Sequence, residues 1–277
     1  MRNSKIYMAT LALAMLGATA CDNIKEEDRY IPVDREHSDK VVLIEEFTGA
    51  MCVNCPTGAA AIHSMLESEA FKGKIIAVSL YPSQMSDLTT PIDTDLRTEA
   101  ATEYFSAYNG TSIGLPSAMF DRTAYKGSVL ITKPATWSGV VTEMLKAQPP
   151  VSIELGKSYD AATRRLTVDY KVEYVDPLLD ETCMQLYLTE NKIISCQLSL
   201  AGPVFDYENN HVLRAPINGT WGETLGTANT PGTVKTGSAS ITLDPDWKAE
   251  NMQVVGFVYR AAGRQVLQAH QLNSIID

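Results

Sequence analysis

The 277-residue chain has no surplus of positive charge, only four histidines and five cysteines, and an aromatic fraction of 8%. A formal net charge of −10 leaves no basic patch for a phosphate backbone, which argues against nucleic acid as a partner. The apolar run Ile6–Leu16 falls short of the roughly 20 residues that a stable membrane-spanning helix needs, and no second such run follows. Residue-level repeats and low-complexity tracts are missing, as are a Gly-rich phosphate loop and a Ser-His-Asp signature. Beside Cys52 and Cys55 the spacing supplies no further pair of zinc ligands, so neither a metal nor a cofactor is expected.

What is present begins with a leader. Arg2 and Lys5 precede the apolar run and the small residues Ala18-Thr19-Ala20 follow it, the pattern of a secretory signal peptide over residues 1–20. Cys21 then reads as the lipid-modified N-terminus, with ordinary cleavage after Ala20 as the alternative. Residues 21–39, polar and acidic from Asp22 to Arg29, are too poor in apolar side chains to fold alone. They read as a flexible tether from the membrane, with an acidic export signal compatible with the same stretch. Assigning Cys21 to lipid leaves Cys52, Cys55, Cys183 and Cys196, an even remainder that suits up to two disulfides in an oxidising compartment.

The stretch Glu45-Glu46-Phe47-Thr48-Gly49-Ala50-Met51-Cys52-Val53-Asn54-Cys55-Pro56 organises the region from 40 to 148. An apolar strand, Val41–Phe47, enters it and a helix-favouring run, Gly58–Ala70, leaves it. The unpaired N–H groups of a helix's first turn favour a thiolate, so Cys52 is the expected nucleophile, with Cys55 one helical turn away and within disulfide reach. A second strand over Lys74–Tyr81, a loop over Pro82–Asp93 near the thiols and a helix over Thr94–Tyr108 follow. A strand over Ser117–Asp121, a further one at Gly127–Thr132 and a helix over Pro134–Ala147 complete the region. A static structural disulfide is the plain alternative to a redox pair.

These residues resemble the thioredoxin-like superfamily. The resemblance rests on Cys-x-x-Cys at a strand-to-helix turn, with Glu46 six residues ahead of Cys52 in the place of a buried acid, and on Gly114-Leu115-Pro116 before a strand. It implies that Cys52 attacks, that Cys55 resolves the mixed disulfide, that buried Glu46 takes up the Cys55 proton with a raised pKa, and that Pro116 faces the disulfide in the cis form.

After Gln148-Pro149-Pro150 the pattern changes. Val151–Leu155, Arg165–Val175, Cys183–Thr189, Ser238–Leu243, Met252–Arg260 and Gln265–Gln271 read as short strands, and Leu166, Val168, Tyr170, Val172 and Tyr174 alternate with polar residues. The expected fold class is therefore α/β followed by all-β: a thioredoxin-like domain over 40–148 and an immunoglobulin-like β-sandwich over 151–277. Ser199–Pro231 is expected as an excursion over one end of the sandwich. Cys183 and Cys196 flank a turn near Glu190-Asn191 and are expected to form a stabilising disulfide, or else to stand as separate thiols.

Glu46-Phe47-Thr48-Gly49, Tyr187-Leu188-Thr189-Glu190, Asn209-Asn210-His211-Val212-Leu213-Arg214 and Trp221-Gly222-Glu223 give the chain a narrower likeness. It resembles a family of Gram-negative 28-kDa outer-membrane lipoproteins. That resemblance implies an outer-membrane, lipid-anchored protein on the periplasmic face or the cell surface, with His211 and Arg214 as binding candidates or turn braces. Two function classes follow. One is thiol–disulfide exchange on protein substrates. The other is a surface-binding, adhesion or structural envelope protein in which the same fold is a scaffold.

Overall fold

The computed structural model describes residues 37–92 and 94–276; the expected signal peptide, the expected lipidation site Cys21 and the expected tether up to residue 36 lie outside the described residues. Strand β1 (Val42–Phe47) occupies the middle of the first half because all six of its residues are buried. It pairs in parallel with β2 (Ile75–Leu80) and antiparallel with β3 (Ser117–Phe120). Between them run α1 (Cys55–Leu66), α2 (Glu99–Ala107) and the short α3 (Gly110–Ile113), and α4 (Trp137–Met144) follows a 3-10 turn at Pro134–Thr136.

Alternation along β1 sorts its side chains onto two faces. Val42 and Ile44 pack with Ile62 and Met65 of α1 and with Trp137, Val140 and Val141 of α4. Leu43 and Phe47 point the other way, against Ala101, Tyr104 and Phe105 of α2. Glu46 therefore belongs to the α1 face and Glu45 to the α2 face.

The second half contributes β4 (Val151–Asp160), β5 (Arg165–Tyr174), β6 (Thr182–Glu190), β7 (Ile193–Ser199), β8 (Gly202–Asn209), β9 (Val212–Pro216), β10 (Glu223–Gly226), β11 (Val234–Thr242), β12 (Met252–Arg260) and β13 (Val266–Leu272). Strands β11, β5 and β4 form a three-stranded sheet in that order, and β7–β8 is a separate hairpin. The three-stranded sheet covers one face of β6 and β12: Val168 and Val172 meet Met184, Leu186, Leu188, Val254 and Val258 in a common core.

The two halves share a sheet. Its order is β13-β12-β6-β9-β2-β1-β3, with β10 on β6. Strand β9 is the seam: it runs antiparallel to β6 and meets β2 in parallel at Ser79 and Val212. Across this seam the opposite face of β6 and β12, through Tyr187, Val255 and Phe257, joins Leu43, Phe47 and α2 in one core. Burial of each such large side chain stabilises by about 1.5–3 kcal/mol, and the chain from Glu36 onward forms one compact unit.

Several elements differ from expectation. Ser199–Pro231 contains three strands, β8, β9 and β10, rather than an excursion. β9 and β10 are short, at five and four residues, and β9 owes its pairing to neighbours on both sides. Gly127–Thr132 forms only isolated bridges, Tyr125 to Ser128 and Ala118 to Ile131. The helices expected at Thr94 and Pro134 begin at Glu99 and Trp137; Thr98 caps the first through a hydrogen bond to the Ala101 N–H. The chain turns after Glu190 as expected, but β6 pairs with β9, β10 and β12, and β7 with β8.

Candidate active site

Cys52 and Cys55 are joined in a disulfide with their Cα atoms 5.4 Å apart. Cys55 opens α1, Pro56 occupies its first turn, and the missing N–H there costs no helical bond. The turn is closed by Cys52 N–H to Gly49 O at 3.0 Å and Cys55 N–H to Cys52 O at 3.1 Å. The peptide bond between Leu115 and Pro116 is cis, and Pro116 reaches the base of α1 beside Gly58.

Cys52 does not project to solvent. It is 4% exposed and Cys55 2%, because the loop that carries them is held from two sides. The Gln197 side-chain amide donates to Gly49 O and Cys52 O, each at 3.1 Å, and Leu198 N–H donates to Ala50 O at 2.8 Å. On the other flank Met51 N–H donates to Met85 O at 2.8 Å, so the loop after β2 lies beside the motif through Met85, as expected. Strand β7 thus covers the motif with second-half backbone.

Glu46 lies beneath α1. A Cβ at Gly58 would fall 2.2 Å from Glu46 Oε1, so the glycine is what allows the helix to approach the carboxyl. Glu46 is 1% exposed, its Oε1 has no hydrogen-bond partner, and burial raises its pKa from 4.5 to about 8. It therefore holds a proton at neutral pH. The same carboxyl raises the pKa values of Tyr81 and Tyr207, after the larger effect of their own burial.

Glu46 and Cys55 line a cavity of about 320 Å³ between α1 and the end of β8, with Tyr81, Tyr207, Asn209 and Gln197 among its walls. Tyr81 donates to Asn209 Oδ1 at 2.7 Å, and Asn209 donates to Ser195 Oγ at 2.8 Å. His63, exposed on α1, and His211 lie at its edge. Burial, with a contribution from His63, lowers the His211 pKa to about 4, so its imidazole is neutral under ordinary conditions. The His211 backbone braces the seam: its N–H donates to Asn191 Oδ1 at 2.7 Å and its carbonyl accepts from Ser79 N–H at 2.8 Å.

Arg214 is a brace as well. Its Nε lies 2.8 Å from Glu190 Oε2 and its guanidinium stacks 5.3 Å from the Trp247 ring centre. The expected Cys183–Cys196 disulfide is not formed. Cys183 sits at the far end of β6 from the turn, roughly 23 Å of strand from Glu190 at ~3.3 Å per residue, and β7 departs to pair with β8. Burial pushes the Cys183 thiol up, which makes it a poor nucleophile.

The sequence reading missed Gln197, Tyr81, Tyr207 and Asn209, which reach the site from remote segments. It also missed the partner of Glu45. Arg122, fully buried, donates to Glu45 through two contacts of 2.7 Å and to the Tyr187 hydroxyl oxygen at 2.9 Å. Its guanidinium lies 5.0 Å from the Phe257 ring centre and 5.4 Å from that of Tyr259. Two adjacent acids in an otherwise apolar strand were the available signal.

The Omp28 outer-membrane protein model matches residues 101–274, more than half of the chain. The chain belongs to the Omp28 family. The match starts inside α2, so Cys52, Cys55 and Glu46 lie outside it, whereas the seam residues His211 and Arg214 lie within it. Membership places the protein at the outer membrane. Among solved structures, HBP35 of Porphyromonas gingivalis is similar at 16% identity and a TM-score of 0.67, covering 86% of this chain and 77% of its own; this shows a shared fold. A domain of the outer-membrane lipoprotein Omp28 from Porphyromonas gingivalis is 23% identical, with a TM-score of 0.34 and coverage of 46% of this chain and 88% of its own, too loose a superposition to carry an argument. No curated protein matches the chain.

Proposed function

We propose that this Omp28 protein is a lipoprotein anchored through Cys21 whose Cys52–Cys55 pair performs thiol–disulfide exchange, on a thioredoxin-like domain over 40–148 followed by a β-sandwich over 151–277. The observation that carries the reading is Glu46. A buried carboxyl with an unpartnered oxygen costs stability, and a static staple has no use for it. Breaking the disulfide leaves sulfur anions that need a proton, and an acid with a pKa of about 8 is matched to a thiol.

A second reading has its own support. Both cysteines are buried and the loop that carries them is held by Gln197 and Leu198, which suits a surface-binding or structural envelope protein with a scaffold disulfide. The reduction potential separates the two. It is measured on the full chain with Cys183 and Cys196 replaced by Ser, equilibrated in graded thiol buffers. Exchange predicts a value between roughly −270 and −120 mV. A value below about −300 mV, or no reaction while folded, favours the scaffold.

A further inference from the structure

Both cysteines are shielded from bulk solvent, and the cavity beside them is lined by the one that the sequence suggests is the less reactive. Cys52, the residue expected to attack and be attacked, lies under β7 with its carbonyl bound to Gln197. Cys55, the expected resolving cysteine, lines the cavity together with Glu46, and Cys52 does not. The cavity, at about 320 Å³, lies at the small end of ligand pockets and does not admit a folded protein. No Lys or Arg lines it, and Glu208 places a carboxylate on its wall. Glu46, buried and with an unpartnered oxygen, faces the same space.

From this geometry we propose that the exchange partner is a low-molecular-weight thiol, neutral or cationic, that enters the cavity and attacks Cys55. This rests on the exchange reading above and names its substrate class. In the reducing direction the small thiolate forms a bond to Cys55 Sγ, the Cys52–Cys55 bond breaks, and the electron pair leaves on Cys52. The start of α1 stabilises that anion. A second small thiolate attacks the small-molecule sulfur of the mixed disulfide, which releases the small disulfide and the Cys55 thiolate. Glu46 protonates Cys55 and is reprotonated through the cavity. Two small thiolates are oxidised to one disulfide, and the protein disulfide gains two electrons and one proton, with Cys55 left as the thiol and Cys52 as the thiolate.

The test uses the full chain in detergent, with Cys183 and Cys196 replaced by Ser. Cys52→Ser and Cys55→Ser variants are exposed to cystamine, a small cationic disulfide, and the mixed disulfide is followed by intact mass. Cys55 in the first variant reacts at least ~10-fold faster than Cys52 in the second, since exchange rates follow access. Filling the cavity with Ala59→Phe slows Cys55 by a similar ~10-fold factor and leaves Cys52 unchanged. In the unaltered disulfide, cysteamine reduces the protein faster than mercaptoacetate once rates are corrected for thiolate fraction, a readout that needs no cysteine variant. Faster reaction at Cys52, or equal rates for the two small thiols, overturns the cavity route while exchange stands. Inertness of both cysteines in the folded protein overturns exchange itself.

Discussion

Glu45 and Glu46 are neighbours on one strand, each 1% exposed, and they meet opposite fates. On the α2 face, Glu45 receives two hydrogen bonds from Arg122 and a third from Tyr187 at 3.1 Å. Phe257 and Tyr259 present their ring faces to the same guanidinium, a favourable setting for a buried cation. On the α1 face, Glu46 has an unpartnered oxygen, a glycine-enabled close approach from the helix and a cavity beside it. The first arrangement pairs the carboxylate with a guanidinium, of which only Nη1 lacks a hydrogen-bond partner, and ties the two halves of the molecule together. The second leaves an acid unsatisfied next to a disulfide. Equal burial thus says little about a carboxyl's role; the partners that the opposite layer brings decide it.

The largest test of this contrast is pH. The folded-state pKa of Glu46, about 8, lies above its ordinary value of 4.5. Between these values the unfolded chain releases the proton and the folded protein keeps it. The stability present in full below pH 4.5 is therefore lost as pH rises to about 8, a change on the order of 4–5 kcal/mol. Urea unfolding at pH 4.5 and 8.5 should show this loss in the native protein and not in Glu46→Gln. Equal losses in both proteins would break the comparison at its base.

On the other face, Arg122→Met strands Glu45 in the core and is expected to cost about 3–5 kcal/mol, with Glu45→Gln restoring part of it. A cost no greater than that of an exposed pair, such as Lys171 with Glu154, would mean that the network does not hold the halves together. The smallest expected effect is that of Tyr187→Phe, which removes one hydroxyl from both Arg122 and Glu45 at a cost of about 1–2 kcal/mol. Calorimetric unfolding of the two variants and their combination would show whether the network acts as a unit, since coupled sites are not additive.

Local signals carried the disulfide pair, the acid ahead of it and the strands flanking them. A turn between an apolar run and a helix-favouring run places Cys52 and Cys55 close together whatever surrounds them. Period-two alternation likewise predicts that Glu45 and Glu46 face opposite ways, as they do. The same alternation marked β5 from Leu166 to Tyr174. It failed at β9, a five-residue strand whose existence depends on β6 and β2 pairing with it. It also could not show that β6 and β7, separated by a short turn, take different partners, and so it left a Cys183–Cys196 disulfide open beside two separate thiols.

The sequence by itself therefore determined the elements whose residues interact within a turn or a strand: the Cys-x-x-Cys pair, the helix it opens and the faces of β1. Tertiary structure alone decided what meets those faces. Arg122 reaches Glu45 from 77 residues away, Gln197 reaches the Cys52 carbonyl from 145, and Tyr187 reaches Glu45 from 142. Hydrogen bonding and burial act through space, and over such separations no local pattern states which segment the fold will bring near. That is why the cysteine expected to attack is buried, and why Cys55 and Glu46 line the cavity instead.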